Sequence, residues 1–216
     1  MRKTFLFFLI LPLALFAAEG NETDAALDKI GEKVKDLKTF TANFRQLDKD
    51  PLFMDESEHK GKLSFMRTVK DGVTNCFLRF DYLEPEKSVT IITPTGVFLY
   101  TDDMTEPQFS PSRDGNRADL AFAVFQSSDT MNRHYDVTVN KESGKKHSFK
   151  LIPKSDFAKS FFSEAEADFS DATGFPERLR QVKLNGQDIT IYFSDHILNA
   201  PVASNYFDAS SLKKTK

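Results

Sequence analysis

The chain has 216 residues, a formal net charge of -3, 22 Phe, 5 Tyr, no Trp and one Cys. Mild acidity, with no basic run except Lys213, Lys214 and Lys216, argues against a nucleic-acid partner, and a single cysteine excludes an internal disulfide. So many purely apolar rings need either a large core or a greasy cavity.

Arg2 and Lys3 precede an apolar run at residues 5–16, and Ala17 and Ala18 follow it before Glu19. This is the layout of a secretory signal peptide cleaved near residue 18, and the run is too short for a comfortable permanent span. No cysteine follows the run, so no lipid attachment is expected at a mature N-terminus. Without Arg2 and Lys3 the net charge becomes -5, and about 198 residues remain for one domain. Asn21, Thr23 or Asp24 offers a helix cap. Leu27, Ile30, Val34, Leu37, Phe40, Phe44 and Leu47 then recur at spacings of three and four. The pattern predicts one amphipathic helix of about six turns, ended by Asp50-Pro51.

After it the period becomes two. Leu63, Phe65 and Arg67 alternate with Lys62, Ser64 and Met66, and Asp71-Gly72 signals a hairpin that returns with Leu78, Phe80 and Tyr82 on one face. Cys76 in that return reads as a small buried apolar residue. Further turns are expected at Pro94-Thr95-Gly96, Ser143-Gly144, residues 171–174 and Asn185-Gly186. The strands between them are 89–93, 97–101, 135–139, 148–152, 177–184 and 188–194. Hairpins in succession, without long crossovers, predict an antiparallel meander.

Two stretches interrupt it. Residues 116–128, with Leu120, Val124 and Phe125, read as a short apolar helix. In residues 159–169 a helical and a strand period compete, and the turn at 171–174 favours a strand from Phe161 with Ser163, Ala165 and Ala167 facing inward. About ten strands with one long helix curl toward a barrel whose inner face the helix covers only in part. Small inward residues leave volume that a lipid would fill.

The runs at residues 40–46 (FTANFRQ), 61–65 (GKLSF) and 78–85 (LRFDYLEP) resemble motifs of the LolA family of periplasmic lipoprotein carriers. So do residues 174–179 (GFPERL), 186–191 and 193–195, with Asn199 and Phe207. The resemblance covers nearly all of residues 19–216. It implies an α+β chain, mainly β: a strongly curved, incomplete antiparallel β-barrel with a helical lid over an apolar cavity. It implies a carrier that takes lipoprotein acyl chains from an inner-membrane ABC transporter of LolCDE type to an outer-membrane acceptor of LolB type. A monomer with no cofactor is expected.

Arg67 matches the arginine that in the family bonds to the lid. Strand parity also aims it toward the apolar side, where a buried guanidinium needs acceptors such as carbonyls at a helix end of the lid. This sequence departs from the family in placing Thr68, not proline, after it. The expected ligand contacts are Arg67, Leu63, Phe65, Leu78, Phe80 and Ile191, with Leu120, Val124 and Phe125 in a lid that exchanges its own side chains for lipid.

Enzyme motifs are lacking: no G-x-S-x-G elbow, no H-E-x-x-H, no phosphate loop and no cysteine pair for zinc. Ser194-Asp195-His196 looks like a triad in print, but neighbours on a strand face opposite ways, and a solvated turn is expected instead. Glu164, Glu166 and Asp168 are expected to form a solvated strand edge rather than a cation site. Asn21-Glu22-Thr23 fits a glycosylation pattern, although a helix cap is the expected role. The second function class is a lipid- or peptide-binding sensor on the same scaffold.

Overall fold

A computed structural model of the chain describes residues 14–52, 55–112, 128–140, 147–203 and 205–212. Helix α1 spans Ala14–Val34, and the chain becomes extended at Thr39 to form strand β1, Thr39–Asp50. The expected single helix through Leu47 is thereby corrected. Leu27, Ile30 and Val34 keep the helical spacing, whereas Phe40, Ala42, Phe44 and Gln46 are buried on alternate residues. Phe40 and Phe44, four apart, share a face in either period, so their spacing alone does not separate helix from strand. Hydrogen-bonded neighbours on both sides of β1 decide it, helped by the β-branched Thr39 and Thr41.

The strands that follow are β2 (Asp55–Lys70), β3 (Val73–Glu84), β4 (Ser88–Thr93), β5 (Gly96–Thr101) and β6 (Gln108–Pro111). Helix α2 (Ser128–His134) leads into β7 (Tyr135–Val139) and β8 (Ser148–Pro153). Helix α3 (Asp156–Lys159) precedes β9 (Phe162–Phe169), β10 (Pro176–Lys183), β11 (Asp188–Leu198) and a 3-10 turn at Ala209–Leu212. Among the described residues, eleven strands form one antiparallel sheet in the order β6-β5-β4-β3-β2-β1-β11-β10-β9-β8-β7, which is not closed into a barrel. Pairing of β1 with β11 joins two meanders at the middle of the sheet. The tight turns fall where expected: Asp71 and Gly72 both take positive φ (52° and 77°), as a two-residue hairpin of matching twist requires. The turn at Ser143-Gly144 and the helix at residues 116–128 lie outside the described residues.

Ladder register carries one apolar row from strand to strand. Tyr82, Gly61, Phe44 and Phe193 stand abreast, and so do Ile92, Leu78, Phe65 and Phe40. On the other half the row Ile191, Leu179, Ala167, Phe149 and Val139 continues it. This inner face is the one α1 covers. Leu27 and Ile30 pack with Met131, Tyr135, Phe149 and Phe162, while Val34 joins Phe40, Leu63, Phe65, Cys76 and Leu78. Cys76 is buried, as expected of a small apolar residue.

Two expectations for β9 need correction. A register irregularity between Val182 and Lys183 sets Phe162 opposite Lys183 and flips the parity at the start of the strand. Phe162 is buried, while Phe161 and Ser163 are exposed; of the three small residues expected inward, Ala165 and Ala167 face the second cluster and Ser163 does not. Nor is β9 an edge, since it lies between β8 and β10. Its acidic residues on the outer face are paired across strands. Arg178 Nε donates to Asp168 Oδ2 at 2.7 Å and its Nη2 to Glu166 Oε2 at 2.6 Å, and Arg180 joins Glu166 to Asp188. Asp168 is fully buried and also accepts from Ser148 Oγ at 2.6 Å. Its hydrogen bond to Arg178 is the main cause that holds the guanidinium above its ordinary pKa.

Gly61 seats the Phe44 ring at the middle of the inner row. A Cβ there would stand 2.1 Å from Asp81 O and 2.7 Å from Phe44 Cε1. Gly61→Val should therefore cost about 3 kcal/mol or more in urea unfolding. Gly72→Asn, at an open turn position where Asn tolerates positive φ, should cost less than about 1 kcal/mol.

Candidate functional site

Parity along β2 is unbroken from Leu63 to Arg67, which stand opposite Phe80 and Cys76 respectively, so Arg67 faces the inner side as the alternation predicted. Among the described residues its acceptors include carbonyls at a helix end, that of α1, while the lid expected at residues 116–128 lies outside them. Nη1 donates to Val34 O and to Lys35 O, each at 3.0 Å, and the backbone N–H donates to Lys38 O at 2.7 Å. The guanidinium also lies 5.8 Å from the Phe65 ring centroid. A cation at a helix C-terminus satisfies carbonyls that have no intrahelical partner and complements the helix dipole. Arg67 thus pins the last turn of α1 to the sheet. A second clip acts at the same end: Gly174, with φ 72°, lets the β9–β10 turn approach Ile30 O, and Lys33 Nζ donates to Asp171 O.

Leu63, Phe65 and Leu78 are fully buried in the cluster beneath that helix end. Phe80 and Ile191, with Tyr82 and Leu179, form its half-buried margin. Leu120, Val124 and Phe125 lie outside the described residues. The margin continues the core past α1. Phe44 meets Phe80 and Tyr82 edge-on at centroid distances of 5.6 and 5.0 Å. Tyr82 Oη donates to Gln46 Oε1 at 3.0 Å, and burial pushes its phenol up to about 12, so it stays a neutral donor. Tyr82 was visible in the sequence as a member of this face. Phe44 and Leu179 were not assigned to it, yet an alternating reading of residues 40–46 puts Phe44 there. Such a surface offers apolar contact and one fixed hydrogen bond. Among the described residues there is no group of metal-ligating side chains.

His196 departs from its expected place. It belongs to β11 rather than to a solvated turn, because a bulge between Thr41 and Asn43, with Asp195 at φ 53°, turns it inward. Its ring lies 5.4 Å from Phe40, which stacks on Phe175 at 3.9 Å. Nε2 is buried without a partner among the described residues. Ser194 Oγ bonds Asp195 Oδ2 instead of the imidazole.

Residues 35–210 match the family model described as outer membrane lipoprotein carrier protein LolA. No curated protein matches the sequence. Among solved structures, a DUF1329 family protein from Desulfovibrio piger is 14% identical with a TM-score of 0.51, covering 89% of this chain and 99% of that one. A putative outer membrane lipoprotein-sorting protein domain from Vibrio parahaemolyticus is 11% identical (TM-score 0.49; 90% and 99%). The MucA/MucB complex of Pseudomonas aeruginosa is 15% identical (TM-score 0.47), and this chain spans 63% of the matched chain.

Two outcomes check this geometry. Arg67→Leu should leave cooperative unfolding in place, lower stability by about 1–3 kcal/mol and speed amide hydrogen exchange around residues 34–38. Burial lowers the His196 pKa, so the unfolded chain binds the proton more readily and stability is lost as pH falls below the usual histidine value of about 6.5. His196→Leu should lose less stability than the parent between about pH 7 and pH 5 in parallel denaturant titrations.

Proposed function

The chain belongs to the LolA family of outer membrane lipoprotein carrier proteins, and on that premise we propose that it carries lipoprotein acyl chains on the inner face of its sheet. Its family is one of carrier and binding proteins rather than enzymes. In this reading residues 1–18 direct export to the periplasm, and residues 19–216 work there as a monomer. Cargo comes from an inner-membrane ABC transporter of LolCDE type and goes to the outer membrane, through a LolB-type acceptor where one exists. Among the described residues no helix is long and apolar enough to cross a membrane.

The observation that carries the reading is the half-buried margin of Phe80, Tyr82, Leu179 and Ile191, continuous with the fully buried cluster under α1. Transfer of one chain of about 15 methylenes onto such a surface would gain roughly 12 kcal/mol before entropy costs. Held at that strength the cargo would not leave. A protein element that covers the same surface when it is empty offsets part of the gain, and opening and loading become two states of one equilibrium. On sequence alone residues 116–128, with Leu120, Val124 and Phe125, are the proposed cover. Arg67, Leu63, Phe65 and Leu78 are the proposed floor at the α1 end.

Native mass spectrometry of protein recovered from its own periplasm should show an acylated species bound one to one. Membrane vesicles holding the cognate transporter should release labelled lipoprotein to the protein. Ile191→Asp should fold yet reduce that release at least about tenfold, since a carboxylate on the apolar margin opposes chain entry. Stoichiometric capture of another ligand with no lipoprotein release would favour a lipid- or peptide-binding sensor instead.

A further inference from the structure

The outer face of the sheet holds a feature that the carrier reading does not use. After β11 the chain folds back across β1, β2 and β3 as a strap anchored at both ends. At the near end Lys38 N donates to Asn199 Oδ1 at 2.9 Å, and Thr39 Oγ1 donates to Ala200 O at 2.5 Å. At the far end Arg79 Nη1 donates to Tyr206 O at 2.7 Å, Tyr206 Oη donates to Asp81 Oδ2 at 2.8 Å, and Phe207 packs beside Ile91. The strap is thus fixed by hydrogen bonds and a small core of its own.

Between the anchors lies a cavity of about 560 Å³, roofed by the strap at Val202 and Tyr206 and floored by Thr41, Asn43 and Lys62, with Asp195 at its side. Register sets the spacing of the charges. Asn43 stands opposite Lys62 on β2 and opposite Ser194 on β11, so two strand spacings, about 10 Å, separate the backbones that carry the two charges. Lys62 and Asp195 do not pair with each other. Asp195 is turned by its bulge, and its Oδ2 accepts from Asn43 Nδ2 at 2.8 Å. Among the described residues neither the Lys62 ammonium nor the Thr41 hydroxyl has a partner, and Asp195 Oδ1 accepts no hydrogen bond. The cavity therefore presents a cation with a neighbouring hydroxyl on one side and an oriented anion on the other. Lys62 and Asp195 both stay exposed to water at the cavity; a ligand with an anion and a cation would meet each with its opposite, whereas a simple anion would be repelled by Asp195.

We propose that this cavity between strap and sheet is a second binding site, for a small zwitterion that joins an anionic group to an ammonium group. The anionic group sits on Lys62 and Thr41, and the ammonium sits on Asp195. A free small metabolite and the headgroup of a zwitterionic lipid share this chemistry. The site is on the opposite side of the sheet from Phe80 and Ile191, so it stands or falls apart from the carrier reading.

Phosphoethanolamine serves as the probe, titrated into the full-length mature protein and followed by backbone NMR shifts. Saturable shifts are expected at residues 41–43, 62, 195–197 and 201–206, with inorganic phosphate or ethanolamine alone binding at least about tenfold more weakly. Lys62→Met and Asp195→Asn should each weaken the probe about tenfold or more without altering thermal unfolding, Asn being tolerated at positive φ. A short-chain phosphatidylethanolamine below its micelle concentration separates the sources. Equal or tighter binding assigns the site to a lipid headgroup, and loss of binding assigns it to a free metabolite. No shifts at about 10 mM probe, or shifts that survive Lys62→Met unchanged, would overturn the proposal.

Discussion

An open sheet of eleven strands leaves one face that must be covered, and the register of its ladders is the constraint on which the rest of the molecule depends. The inner row runs without loss of parity from Val139 on β7 to Ile92 on β4, through the junction of β1 and β11. A slip of one residue in any central strand would expose that strand's apolar set and bury its charged one. Two irregularities have local uses: the one in β11 turns His196 against Phe40, and the one in β9, at Ser163, accompanies burial of Phe162.

Helix α1 is the principal cover of that row among the described residues, and its stripe spans two clusters that Leu179 on β10 also touches. Because a helix is narrower than the sheet, Phe80, Tyr82, Leu179 and Ile191 remain half-buried beyond it. The same mismatch that would threaten solubility in an ordinary domain is the feature on which the proposed acyl-chain binding rests. Arg67 sits at the C-terminal end of α1, where it donates to the carbonyls of Val34 and Lys35. The outer face is organised differently. Ion pairs knit β9, β10 and β11, while the C-terminal strap covers β1 to β4 through Arg79, Asp81 and Phe207. The two faces thus carry separate chemistry on one set of strands.

Much of this was legible in the residues alone. Turns at Asp71-Gly72, Gly174 and Gly186 need backbone conformations few other residues adopt, so they marked the hairpins, and the hairpins implied an antiparallel meander. Alternation in Leu63, Phe65 and Arg67 placed the arginine on the inner side. At residues 39–50 the sequence is ambiguous for a definite reason: a spacing of four satisfies both periods, and the residues follow a helix without a break in that spacing. The acidic residues of β9 were misread because their partners, Arg178 and Arg180, lie on the next strand and reach them only through pairing.

What the sequence by itself determined was the local grammar: where the chain turns, which residues alternate, and that more apolar rings are present than one helix can cover. Those properties depend on neighbours within a few positions, and backbone sterics and side-chain parity enforce them anywhere. Only the tertiary structure decided that Phe40 and Phe44 belong to a strand, that Arg67 reaches carbonyls of α1, and that residues 199–203 and 205–207 strap the outer face. Each of those outcomes depends on groups distant in sequence, 33 positions apart for Arg67 and Val34 and 161 for Thr39 and Ala200. Contacts at such separation become favourable only after the sheet has brought the partners together.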